Sequence, residues 1–525
     1  YSPPGPDGER AAKPSISFER LDVDKGLVDL RLSSATLPIP DPVAIFENKS
    51  VNKKGFEDAL IELAALVLDG GDQTFRASHD ILRRTPPRLR SMSLPTVNEL
   101  PEVGWEVISE IASDLDESYF VIQGPPGTGK TYSSAKAILQ LIRNGNRIGI
   151  AANTHSAVEQ LLSEIADHAG DFGFNREAPL KILHKPRDGV DSAFESPTSS
   201  VTVTAKTDNA KVSVETSHHD IVAGTSFLFT SSAMRRKVDI LFIDEAGQLS
   251  LADTLGASLS ATNVVLVGDP QQLKQPTKAA HPGKSGLSGL EYINQEFDVV
   301  PPDFGVLLNV TRRMHPVINT FISEQVYESK LHSESSCTKQ QIGGDDHFAG
   351  AGLRWVPVGH TGRSTYSPEE CDVVVDLYFR MIGRSLTNKD GLSRSMTSED
   401  LFVIAPYNHQ THKLRQGLLS HPDAARQGIT EELVKRRVGT VDKAQGDEAP
   451  VVIISYTSSS ADDVPRGMEF HYSKNRFNVA VSRAKALAVV VANPGLLDVT
   501  CKTIEQVKLA NMLCRYAEVA DTVIL

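Results

Sequence analysis

Eight residues, Gly124-Pro125-Pro126-Gly127-Thr128-Gly129-Lys130-Thr131, constrain this chain more than any other stretch of it. They follow the apolar run YFVIQ (residues 119–123) and lead into a segment of helical pattern from Thr131. They match G-x-x-x-x-G-K-[ST], and a strand before and a helix after are the context such a loop requires. Its glycines let backbone N–H groups curl around phosphate oxygens, and the following helix turns its positive dipole end toward them. All eight residues are therefore candidates to bind a nucleoside triphosphate. Lys130 reaches the β/γ-phosphates and the Thr131 hydroxyl holds Mg²⁺.

A strand–loop–helix unit of this kind belongs in an α/β fold. Short apolar strands alternate with helical patterns from residue 119: YFVIQ, RIGIAA, VDILFID and NVVLVGD. The texture returns after residue 400 as LFVIAP, RVGTV, APVVIIS and ALAVVVA. Such alternation predicts parallel sheets with helices on both faces, in two blocks whose strand ends meet at a cleft. The expected division is an N-terminal accessory or stalk segment over 1–94, a first α/β domain over 95–300 and a second over 301–525. Residues 1–20, rich in Pro, Gly and charge, read as a disordered or extended lead-in. Residues 55–68 have helical spacing and stop at Asp69-Gly70-Gly71. Residues 80–90 (DILRRTPPRLR) are basic and read as a solvated face. Residues 186–219, rich in Ser, Thr and Asp, read as a peripheral insertion; 333–350 and 458–470 read as loops.

VDILFIDEAGQ supplies the partner of the glycine loop. Its strand ends in Asp244, a candidate Mg²⁺ ligand, and Glu245, a candidate to polarise the attacking water. Composition narrows the remaining classes. The formal charge of −12 excludes a generally basic nucleic-acid coat. Residues 301–525 carry 25 Lys+Arg and 26 Asp+Glu, against 29 and 40 in residues 1–300, so a polyanion groove is local and better tolerated in the second half. Four scattered cysteines argue against a disulfide framework or zinc site and fit reduced thiols inside a cell. No apolar run is long enough to cross a membrane, and no leader opens the chain.

Four further segments specify the kind of NTPase. NVVLVGDPQQL (263–273) puts Asp269 and Gln272 at a strand end. VTRRMHPVINTFISEQVY (310–327) carries Arg313-Met314-His315-Pro316. RVGTVDKAQGDEAPVVIIS (437–455) carries Gln445-Gly446-Asp447-Glu448. NRFNVAVSRAKALAVVVA (475–492) carries Asn478 and Ser482-Arg483-Ala484. In this order and spacing the chain resembles superfamily 1B helicases of the Upf-like branch, typified by the nonsense-mediated-decay helicase. The stretch from Glu448 to Tyr516 is similar to the helicase half of prokaryotic RecB-like nuclease–helicase fusions. The first hundred residues are too short for such a nuclease and lack its carboxylate cluster.

The resemblance implies two tandem RecA-like domains around ATP and Mg²⁺, and an ATP-dependent helicase or translocase moving 5′ to 3′ on single-stranded RNA or DNA. Arg483 matches the arginine finger, Arg313 a second γ-phosphate contact and Gln272 a γ-phosphate sensor. Gly446 and Glu448 match positions near the ribose and phosphates, and Tyr407 an aromatic that stacks on adenine. Planar guanidinium groups suit the charge that develops on a transferring phosphoryl group. Arg483 lies about 350 residues beyond Lys130, so it acts only when the cleft closes. Strand contacts are expected from Asn153, Thr154, His155 and Thr225 on the first domain, and from Pro406, Asn408, Thr440 and Lys443 on the second. Three departures stand out. Arg312 occupies a position often aromatic, and Ala444 replaces a frequent Phe. No glutamine lies between Gln73 and Gln123 to read adenine, which leaves Asn98 or Glu102 as substitutes. Two other roles remain open: the motor of a nuclease–helicase system in DNA processing or defence, and an ATP-gated clamp without turnover.

Overall fold

The strand that precedes the glycine loop is buried at all five positions, Tyr119–Gln123, as a strand covered on both faces must be. Residues 16–22, 27–32, 53–71, 73–187, 199–203, 218–275, 281, 283–444 and 446–525 are described by the computed structural model. The chain divides into two units, Tyr1–Asn52 and Lys53–Leu525. In the first, β1 (Ile16–Asp22) and β2 (Leu27–Leu32) form an antiparallel hairpin. From residue 16 the lead-in is therefore extended and paired, not disordered; residues 1–15 lie outside the described residues.

The second unit holds two large sheets. The first comprises β3 (Tyr119–Gln123), β4 (Ile148–Ala152), β5 (Leu180–His184), β6 (Ser199–Val203), β7 (Ile221–Thr225), β8 (Val238–Ile243), β9 (Ala261–Gly268) and β10 (Gly305–Leu307). Their order is β10-β3-β9-β8-β4-β7-β5-β6, and every pairing is parallel. The pleat sends Phe120 and Ile122 into a core shared with helices Trp105–Asp114, Lys130–Arg143 and His155–Ala169. Tyr119 and Val121 enter the opposite core with helices Lys54–Leu68, Arg76–Arg83 and Leu251–Ser258. Alternate residues thus feed opposite layers, the pattern of strands buried on both sides.

Five short strands follow, β11 (Val310–Thr311), β12 (His332–Ser333), β13 (Gln341–Ile342) and, after β14 (Gly352–Pro357), β15 (Ser385–Thr387) paired with β16 (Ser393–Ser395). The second large sheet joins β14 to β17 (Leu401–Ala405), β18 (Val438–Thr440), β19 (Ala449–Ser455), β20 (Ala484–Ala492) and β21 (Asp521–Thr522). Its order is β18-β17-β19-β20-β14-β21, again all parallel. Phe402 and Ile404 pack with helices Pro316–Val326, Lys474–Val481 and Ile504–Val519. Leu401, Val403 and Ala405 pack with Pro368–Met381, Asn408–Ser420 and Glu431–Arg437. Two parallel sheets with helices on both faces are the expected tandem RecA-like architecture.

Four boundaries differ from the expectation. Residues 54–83 are no separate stalk, because Ala59, Leu63, Ala77 and Ile81 complete the core of the first sheet. The first sheet extends past residue 300, since β10 pairs with β3. The span 186–219 contributes an edge strand, β6, paired with β5; alternating Val201 and Val203 were the missed signal, and 188–198 and 204–217 lie outside the described residues. The basic stretch is a brace rather than a solvated face. Arg88 Nη1 donates to Asp80 at 2.6 Å, and Arg84 Nε donates to the Ile293 carbonyl at 2.6 Å with its guanidinium 4.9 Å over the Phe304 ring.

Candidate active site

The glycine loop turns between β3 and the helix that starts at Lys130. Gly127 and Gly129 take φ of +76° and +78°, values that other residues adopt only at a cost. Gly124 has no room for a side chain: a Cβ there would lie 1.9 Å from Lys130 Cγ. The lysine stem therefore crosses directly over the loop, a path only glycine permits. Thr128 Oγ1 donates to the Pro125 carbonyl at 2.8 Å and closes the turn. Thr131 is half-buried in the first helical turn.

Two acidic strand ends flank the loop. Asp244 follows β8 and is 7% exposed; its Oδ1 accepts from the Glu245 amide at 2.9 Å. Burial lifts the Asp244 carboxyl well above the usual carboxylate range, Glu245 adds repulsion and Lys130 opposes both. Two adjacent acidic side chains at a buried strand end are an oxygen donor set that fits a hard divalent cation. Glu245 sits at φ +50°, a left-handed conformation that costs on the order of 1–3 kcal/mol and clusters at functional sites. Asp269 follows β9, with Gln272 Nε2 donating to its Oδ2 at 2.9 Å.

The second domain closes the other side. Thr311 Oγ1 donates to the Pro126 carbonyl at 2.9 Å, and the Arg312 amide to the Gly127 carbonyl at 2.8 Å. Arg313 is thereby held against the loop. Its Nε pairs with Glu448 Oε2 at 2.6 Å and its Nη1 donates to the Ser482 carbonyl at 3.2 Å. Lys485 pairs with the same Glu448 at 2.5 Å. Arg483 is 3% exposed. Its Nε donates to the Val479 carbonyl at 3.1 Å, its Nη1 to the Asp447 carbonyl at 3.1 Å and its Nη2 to Gln272 Oε1 at 3.5 Å. Burial, then the nearby Arg313, lowers the Arg483 pKa, while Glu245 and Glu448 oppose the shift. A buried guanidinium, a second one held beside it and a lysine next to a phosphate-type loop favour a polyanion. So Lys130, Asp244, Glu245, Gln272, Arg313, Glu448 and Arg483 converge on one cleft, and Arg483 already reaches Gln272 across it. Gly446, at φ +90°, is exposed in the loop before Glu448; Gln445 lies outside the described residues.

Tyr407, the residue expected to stack on adenine, packs against aromatic neighbours of its own domain. It is 6% exposed, its ring lies parallel to that of His471 at 6.0 Å and its hydroxyl is 3.3 Å from His471 Nδ1. Phe470 covers it at 5.8 Å. Tyr407 is also the N-cap of Asn408–Ser420, which follows β17. The side-chain amides upstream are also committed. Asn98 Nδ2 donates to the Leu94, Gly305 and Pro302 carbonyls at 2.9, 2.8 and 3.3 Å. Gln123 is fully buried between Asp269 and the Val300 amide. Glu102 pairs with Arg312.

The candidate strand contacts gather at strand tips. Asn153, Thr154 and His155 follow β4 and Thr225 ends β7, with Ala152 and Thr225 in register. Pro406 and Asn408 follow β17, and Thr440 ends β18, with Ala405 and Thr440 in register; Lys443 is exposed three residues further on. Thr154 also caps its helix, accepting from the Ala157 amide at 3.2 Å, the ordinary role of threonine there. Thr311 and Lys485 escaped sequence reasoning, since neither stands in a pattern of its own.

Residues 108–277 and 291–495 each match a family described as AAA domain. The chain is 28% identical over 442 residues to "Putative helicase mov-10-B.1" of Danio rerio, covering 76% of this chain and 42% of that protein. It is 27% identical over 515 residues to "DNA replication ATP-dependent helicase/nuclease DNA2" of Homo sapiens, covering 91% and 44%. With "Regulator of nonsense transcripts 1 homolog" of Arabidopsis thaliana it shares 26% identity over 438 residues, covering 76% and 33%. The chain thus spans less than half the length of these relatives. No helix among the described residues is long and apolar enough to cross a membrane.

Proposed function

We propose, from the premise that this chain belongs to the Upf-like branch of the superfamily 1 helicases, that it is an ATP-driven helicase or translocase on single-stranded nucleic acid inside the cell. The observation that carries the reading is the cleft itself. One domain supplies Lys130, Asp244, Glu245 and Gln272; the other supplies Arg483, which donates to Gln272, and Arg313, whose segment bonds the glycine loop through Thr311 and the Arg312 amide. We divide the domains after Leu307, where the first sheet ends.

In this reading Gly124 to Gly129 wrap the β/γ-phosphates with backbone amides, and Lys130 lays its ammonium over them. Thr131 and Asp244 would hold Mg²⁺, which neutralises phosphate charge when bound. Glu245 orients and deprotonates the attacking water. Gln272 contacts the γ-phosphate, while Arg313 and Arg483 stabilise the charge that builds as it departs. Gly446 and Glu448 border the nucleotide, and Glu448 sets the position of Arg313. A strand running over the β4, β7, β17 and β18 tips would meet Asn153, Thr154, His155, Thr225, Pro406, Asn408, Thr440 and Lys443. Small polar groups on phosphates give the sequence-independent grip a motor needs. The direction is 5′ to 3′ by family resemblance.

Comparing ATP hydrolysis with and without single-stranded RNA or DNA tests this. Stimulation by a strand supports the motor; strand binding without hydrolysis would favour a clamp. The match over 91% of the chain to a helicase/nuclease supports a second reading, a motor working with a nuclease, which the complete gene would distinguish.

A further inference from the structure

Asp269 is a buried carboxylate on which four donors converge. Its Oδ2 accepts from Tyr327 Oη at 2.6 Å and Gln272 Nε2 at 2.9 Å. Its Oδ1 accepts from the Gln271 amide at 3.1 Å and Gln123 Nε2 at 3.3 Å. Gln123 abuts the glycine loop, so the carboxylate ties that loop to the strand end carrying Gln272. Tyr327 comes from the other domain. It is fully buried, at the C-terminal end of helix Pro316–Val326.

The link continues through the second domain. Tyr327 Oη accepts from Asn478 Nδ2 at 3.0 Å, and the same amide donates to the Gln271 carbonyl at 2.9 Å. Asn475, one turn earlier, donates to the Pro270 and Gln272 carbonyls at 2.8 and 2.5 Å. Both asparagines lie on helix Lys474–Val481, which runs directly into Arg483. Gln272 is thus held at both ends of its amide, Nε2 by Asp269 and Oε1 by Arg483. A phenol donating to a buried carboxylate makes a charge-assisted bond, stronger than a neutral one. Networks of this kind resist piecemeal change, because each lost partner leaves another buried group unsatisfied.

We infer that Tyr327 is a positioning residue: through Asp269 and Asn478 it keeps Gln272 in register with Arg483, and so couples nucleotide binding to strand affinity. The inference rests on the motor reading. Coupling of this sort is a free energy shared between two sites, measured as the ratio of strand affinities with and without nucleotide.

The test uses the full chain, a fluorescent single-stranded oligonucleotide and a non-hydrolysable ATP analogue with Mg²⁺. Tyr327→Phe removes one oxygen and leaves the ring volume. It should lower kcat about tenfold, which corresponds to ~1.4 kcal/mol, with KM for ATP little changed. Strand affinity without nucleotide should stay at the wild-type value, and the ratio of affinities should fall to near one. A residue that merely stabilised the fold would lower the melting temperature and leave that ratio unchanged. A wild-type ratio in Tyr327→Phe overturns the inference. Should that variant not fold, Asn478→Ala is judged by the same ratio. If the wild-type protein itself shows neither strand-stimulated hydrolysis nor coupling, the motor reading fails first and this inference with it.

Discussion

Replacing Gly127 with alanine isolates the contact between the glycine loop and the second domain. Gly127 and Gly129 have nearly equal φ, +76° and +78°, so alanine meets the same left-handed strain at each, about 1–2 kcal/mol. Their surroundings differ. A Cβ on Gly127 would lie 2.4 Å from Arg313 Cβ and 2.6 Å from Thr311 Oγ1; on Gly129 the nearest atom is Tyr132 Cβ at 3.9 Å. The methyl at 127 must push the Thr311–Arg313 segment away by roughly 1 Å to reach ordinary contact distance. Overpacking of that kind costs about 1–3 kcal/mol more. Gly129→Ala should therefore lose about 1–2 kcal/mol and Gly127→Ala about 2–5 kcal/mol. The assay is urea denaturation of both variants and wild type, followed by circular dichroism without nucleotide. Equal destabilisation would refute the packing of Arg313 against the loop. Displacing Arg313 by that distance should also cut kcat by about 10² in Gly127→Ala.

Glu245→Gln should bind an ATP analogue normally and hydrolyse ATP about 10²–10⁴ times more slowly; ordinary phosphate release would remove Glu245 from its role. Burial holds the His471 pKa down at about 3, from 6.5. The neutral ring's contribution is complete above pH 6.5 and is lost as pH falls toward 3, which amounts to about 2 kcal/mol by pH 5. His471→Leu should accordingly lose about 2 kcal/mol less stability than wild type between pH 7 and pH 5, read from denaturation curves at the two values. Because Asn98 and Gln123 spend their amides on the fold, GTP should be hydrolysed within about tenfold of ATP in kcat/KM. A thousandfold preference for ATP would show that another group reads the adenine edge.

The parts legible in the sequence were those with local cause. The glycine loop, the Asp244-Glu245 strand end and the two blocks of buried strands each carry their pattern within a dozen residues. Arg313, Gln272 and Arg483 could be named by resemblance, but their meeting is a long-range fact. What stayed hidden depended on packing between distant segments. Ala59 and Ile81 show helical spacing without saying which sheet they cover. The short edge strand Ser199–Val203 has only two apolar residues, Val201 and Val203, and reads as a linker. Tyr407 is packed by Phe470 and His471, more than sixty residues away, contacts that no local pattern shows. Thr311 and Tyr327 have only their three-dimensional neighbours to mark them.

The central claim is that the two domains share one catalytic cleft, and Arg483 tests it most directly. Its guanidinium is buried, desolvated and 3.5 Å from Gln272 of the other domain. The measurement is the single-turnover rate of ATP hydrolysis by Arg483→Ala at saturating ATP and single strand, beside strand affinity without nucleotide. A finger's contribution is on the order of 10³ or more in rate, so hydrolysis should fall by that factor while strand affinity holds. Hydrolysis that survives while strand binding collapses would place Arg483 on the nucleic acid and contradict a cleft shared by both domains.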